Sequence, residues 1–99
     1  MQTFFYPGTE TPMLIIQDDG SIYHFNANGK HTMKVENSRF CIIDGSENEN
    51  VVAEFTHNEN EAPLITLGNP ATAGIVINMA ESKIELYGAV TSHGSFNSL

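Results

Sequence analysis

Turn-forming residues divide this chain into pieces too short for most helices. Asp18-Asp19-Gly20, Ala27-Asn28-Gly29, Asp44-Gly45-Ser46 and Gly68-Asn69-Pro70 interrupt short apolar stretches. Turn signals recurring at about 8–12-residue spacing are the pattern of an all-β sandwich or barrel. The pieces predict eight or nine short antiparallel strands joined by consecutive hairpins, near 2–6, 13–17, 21–26, 30–35, 39–44, 50–57, 64–68, 73–79 and 82–91. A single β domain is expected over 1–91, with a polar arm over 92–99 that docks Phe96 and Leu99.

The first two hairpins carry enough pattern to set a register. A two-residue turn at Asn28-Gly29 would pair Ala27 with Lys30 and mix apolar with polar side chains on one face. A three-residue loop with Gly29 in the left-handed conformation pairs Asn26 with Lys30 instead. Tyr23, Phe25, His31 and Met33 then share one face, and Ile22, His24, Asn26, Lys30, Thr32 and Lys34 the other. A one-residue slip would invert every side chain. The same loop at 18–20 pairs Gln17 with Ser21 and puts Met13, Ile15, Tyr23 and Phe25 together. The run Met13-Leu14-Ile15-Ile16 is apolar on both faces, so cover is expected on both, one of them from another subunit.

The stretch 69–88 has two readings. Asn69 could cap a helix, Pro70 suits its first turn and Gly88 its end. Gly74, the β-branched run Ile75-Val76-Ile77 and the alternation Lys83-Ile84-Glu85-Leu86 favour a hairpin turning at Ala80-Glu81-Ser82.

Length and charge narrow the function classes. At 99 residues one modest core fits, with little volume for a deep cleft. A 40% apolar and 16% charged composition argues against disorder. The formal charge of −8, with four scattered basic residues, argues against binding nucleic acid or anionic lipid. No apolar run approaches the ~18 residues of a membrane span. The N-terminus lacks the basic and apolar regions of a signal peptide, so the chain is expected to be made in a cytosol and to stay soluble. Cys41, the only cysteine, lies in Phe40-Cys41-Ile42-Ile43 and reads as a small buried hydrophobe.

No constellation predicts catalysis, and none predicts a cofactor. His24 and His31 fall on opposite faces in the register above, while His57 and His93 lack spaced partners, so no zinc site is expected. Asp44, Ser46, Asn48 and Asn50 alternate oxygen side chains as calcium loops do, but Glu49 stands where an EF-hand needs Gly and Phe55 where it needs Glu. A solvated turn, with at most adventitious calcium, is the reading taken. A second acidic loop runs from His57 to Glu61. There is no G-x-S-x-G and no phosphate loop with its lysine. The aromatic set Phe4, Phe5, Tyr6, Tyr23 and Phe25 could form a platform for sugar or peptide, though strand aromatics are more often core. A monomeric carbohydrate- or protein-binding module is the alternative it supports.

The strand-turn series from Leu64-Ile65-Thr66-Leu67-Gly68 through Ile75-Val76-Ile77-Asn78 to Lys83-Ile84-Glu85-Leu86-Tyr87-Gly88, with the Asp-Gly and Asn-Gly hairpins upstream, resembles small β-rich structural proteins of tailed bacteriophages. These are capsid-decorating proteins and segments of tail or head fibres. The resemblance is one of style and carries over no functional residue. It implies a non-enzymatic virion protein, a homo-oligomer, often a trimer, docked on a larger shell or fibre. The interface residues expected from the apolar strand and the chain ends are Phe4, Phe5, Met13, Ile15 and Phe96.

Overall fold

The computed structural model describes residues 1–57 and 63–95. Among them are nine strands and no helix: β1 (Gln2–Phe5), β2 (Pro12–Ile16), β3 (Ile22–Phe25), β4 (His31–Glu36), β5 (Arg39–Ile43), β6 (Val51–Thr56), β7 (Leu64–Asn69), β8 (Ala73–Asn78) and β9 (Lys83–Tyr87). Each pairs antiparallel with the next, in one sheet of order β1 to β9. The all-β expectation holds. Every strand lies within one residue of its expected bounds except the last, which ends at Tyr87 rather than 91. Phe96, Leu99 and most of the acidic loop after His57 lie outside the described residues.

The expected sandwich or barrel is not completed within the described residues. β1 and β9 each pair on one side only and form the two edges of an open sheet. Turn spacing specifies hairpins, but not whether the resulting faces meet one another. Nine strands at ~4.8 Å spacing stack to ~38 Å, and the molecule measures 54 × 33 × 22 Å. Its radius of gyration is 17.1 Å, against about 13 Å for a compact domain of this length. A single layer encloses little. Among the described residues the buried apolar side chains are Cys41, with no exposed surface, and Ile43, at 5%.

The two N-terminal hairpins turn as their side-chain pattern requires. Gln17 N–H donates to the Ser21 carbonyl at 2.8 Å, and Asn26 N–H to the Lys30 carbonyl at 2.8 Å. Gly29 has φ 79°, the left-handed position of a three-residue loop. Asn26 Oδ1 accepts from Asn28 N–H and Lys30 N–H, closing the loop from inside. The face assignment needs one correction. Phe25 pairs with His31, but a bulge follows, so His24 pairs with Met33 and Tyr23 with Lys34. Met33 therefore shares the face of Ile22 and His24, while Lys34 joins Tyr23. The bulge lets His31 stack on Phe25, ring centroids 4.5 Å apart, and meet Tyr23 edge-on at 5.8 Å. His24 and His31 stay on opposite faces. Ile15 pairs with Tyr23 as expected.

Residues 69–88 form the hairpin, not the helix. Asn69 does act as a cap, but of a turn: its Oδ1 accepts from Ala71 N–H at 2.9 Å and its carbonyl from Thr72 N–H at 2.9 Å. The chain then runs out as β8, because the β-branched run packs on a pleated surface.

Candidate functional site

Paired residues of adjacent strands lie on the same face, so the registers define two ladders across the sheet. One runs Val35–Phe40–Phe55–Ile65–Ile77–Ile84. The other runs Met33–Ile42–Ala53–Leu67–Ile75–Leu86. Toward β1 the first continues through Ile22 and Ile16 to Gln2, and the second through His24 and Leu14 to Phe4. From β5 to β9 both ladders are wholly apolar. Cross-strand neighbours of this kind sit about 5 Å apart and support one another laterally. Phe40 and Phe55 do so with ring centroids 5.9 Å apart.

The other face of the same strands is polar. It carries Arg39, Glu54, Thr56, Thr66, Asn78, Lys83 and Glu85 among fewer apolar residues. Arg39 Nη2 and Nε donate to Glu54 Oε2 at 2.7 and 3.0 Å, and Nη1 to Glu36 at 3.5 Å. The hydrogen bonds it donates to Glu54 hold the Arg39 guanidinium protonated even above its ordinary range. Tyr87 Oη donates to Glu85 at 2.5 Å, which raises the phenol pKa. The sheet is thus amphipathic, its ions on one side and its aliphatic surface on the other.

The apolar side of β5–β9 has no cover among the described residues. Ile42, Phe55, Leu67, Ile75, Ile84 and Leu86 are each between 37% and 71% exposed. Scattered exposed apolar residues are ordinary, but a contiguous patch of several hundred Å² marks an interaction surface. Near the β4–β5 turn this side deepens into an open groove of about 340 Å³, where Val35, Phe40, Phe55 and Ile65 meet Glu36 and Arg39 at the rim.

The residues singled out from sequence are not gathered into one site. Phe4 joins the apolar side beside Leu14, whereas Ile15 lies on the opposite side between Thr3 and Tyr23. Phe5 pairs with Pro12 beyond a bulge, and Met13 is the residue that this bulge leaves unpaired. Phe4, Phe5 and Met13 are exposed and Ile15 half-buried. The patch on β5–β9 was missed. Its signal was present as apolar residues at i and i+2 in Phe40-Cys41-Ile42, Ile65-Thr66-Leu67, Ile75-Val76-Ile77 and Ile84-Glu85-Leu86.

The titratable clusters are taken up by the fold. Asp44 Oδ1 accepts from Ser46 N–H and Oγ, and Oδ2 from Asn50 Nδ2. The Ser46 backbone bond leads in holding the Asp44 carboxyl below its ordinary range. Both carboxylate oxygens of Asp44, the first of the suspected calcium turn, are thus engaged within it. His31 Nδ1 lies 3.0 Å from Glu49 Oε2, and this bond lowers the Glu49 pKa. Glu49 is held there at φ 49°. Among the described residues no three His, Cys, Asp or Glu side chains converge as a metal site.

No known protein family, curated protein or solved structure matches this chain.

Proposed function

We propose that this chain is a structural protein that works by assembly: a small amphipathic β-sheet that self-associates and docks on a larger particle. The uncovered apolar side of β5–β9 is the observation that carries this reading. A surface of that kind is stabilised by burial, at ~25 cal/mol per Å² of apolar area. It offers a partner shape and hydrophobic contact, not reactive groups. The style of the sequence, with its run of short strands and Asp-Gly and Asn-Gly hairpins, supports a virion as the particle, in a decoration or fibre role.

Disassembled particles from the virus or cell that encodes the chain provide the test. Quantitative mass spectrometry should find the chain at a fixed stoichiometry to the major shell or tail protein. Its absence from purified particles, with abundance in the soluble fraction, would overturn the reading.

One feature favours a second reading, a module that binds carbohydrate. The Phe40–Phe55 pair floors a groove with Glu36 and Arg39 at its rim, and aromatic faces flanked by polar groups suit sugar rings. That reading expects saturable binding of glycans from a broad panel, abolished by Phe55→Ala. Binding of none would remove it.

A further inference from the structure

We infer that the apolar side of β5–β9 is closed by a second copy of the same chain, so that two open sheets make one β-sandwich. This rests on the assembly reading and names the partner and the surface. The argument starts from what the surface lacks. From β5 to β9 its two ladders hold no charged and no hydrogen-bonding side chain. Two copies carrying −8 each meet there without stripping water from an ion, because the paired charges Arg39, Glu54 and Glu36 are on the other face or at the rim.

The area is sufficient. Taking ~200 Å² for a large apolar residue fully exposed, the six residues from Ile42 to Leu86 named above leave ~550 Å² in water. Two copies bury ~1,100 Å², which clears the ~1,000 Å² expected of a specific interface before any rim is counted. The extent of the contact follows from the ladders. β4–β9 are apolar on this side without interruption, since His24 breaks the second ladder at β3, and the exposed large residues of the run lie on β5–β9. Sheets packed this way lie ~10 Å apart with interdigitated side chains, and Ala53 is the one small residue among bulky ladder neighbours.

Multi-angle light scattering on the purified full chain, across a concentration series, tests this together with two variants. The wild type should run at twice the mass of one chain. Ile84→Lys and Leu67→Lys should each raise the dimer dissociation constant by ~30-fold or more, as hot-spot positions do. Ile84 is 71% exposed in the single sheet, so that variant keeps its fold, checked by far-UV circular dichroism. Glu85→Gln, one residue along and on the opposite face, should leave the mass unchanged. An oligomer indifferent to both lysine variants would overturn the inference, as would a monomer at every concentration. A monomer would also remove self-association from the assembly reading, but docking on a particle stands or falls separately, on the chain's presence in particles. A lysine-sensitive dimer from a chain absent from particles would do the opposite, upholding the paired sheets and removing the particle.

Discussion

At the scale of single residues, the sheet is specified by a few positions where a side chain or its absence is obligatory. Gly68 sits in β7 at φ 78°, and a Cβ placed there would lie 2.5 Å from the Ala73 carbonyl oxygen across the β7–β8 pair. Gly68→Ala should therefore cost ~2 kcal/mol or more, from left-handed strain plus the clash. Urea denaturation measures it, and a loss under half of that would mean the strand ends relax freely. Ile15 lies between Thr3 and Tyr23 on a half-buried strand. Ile15→Asp replaces a half-buried aliphatic side chain beside Tyr23 with a carboxylate and should lower stability by ~1–3 kcal/mol. An unchanged melting temperature would contradict the pairing described.

At the scale of elements, alternate loops at one end of the sheet are fastened to each other. Tyr6 Oη, after β1, donates to the Phe25 carbonyl at 2.6 Å. Asn26 Nδ2, after β3, donates to the Gly45 carbonyl at 2.9 Å, after β5. Each bond spans two strands, so the hairpins cannot hinge independently. Asn26 also accepts from two backbone groups of its own loop. Asn26→Ala removes all three bonds and should cost about 2–3 kcal/mol at roughly 1 kcal/mol each. A fastened edge also predicts faster amide exchange in this variant at both Lys30 and Asp44, whose N–H donates to the Asn50 carbonyl. Faster exchange in the 26–30 loop alone would show that the tie to Gly45 carries nothing.

At the scale of the molecule, charge and shape set the conditions under which the sheet survives. Asp19 is held below its ordinary pKa mainly by the Ser21 backbone N–H, Asp44 by that of Ser46, and Glu49 by His31. A carboxyl whose pKa is lower folded than unfolded contributes stability above its unfolded value and loses it as pH falls through the folded one. Stability should therefore hold from neutrality down to about pH 4 and decline below it, where unfolded carboxyls take up protons first. Melting temperature against pH checks this, with Asp44→Asn expected to shallow the acid limb. A melting temperature that rises below pH 4 would reverse the assigned directions.

Local features of the sequence were enough for the strands and turns. The loop pairings Gln17–Ser21 and Asn26–Lys30 followed from face patterning within a few residues, but at the second hairpin the pattern held only for Phe25 and His31, since Tyr23 pairs with Lys34 beyond the bulge. The burial of Cys41 followed from its apolar run. Met33 was misplaced because a bulge adds a residue without leaving a mark in the pattern. The interaction surface depended on something no local pattern holds. Alternation in β5 to β9 says that each strand has an apolar side, but only the pairing of all nine in chain order shows that these sides coincide. Among the described residues the same order leaves that surface uncovered, because the sheet stays open: β1 and β9 do not pair to close it.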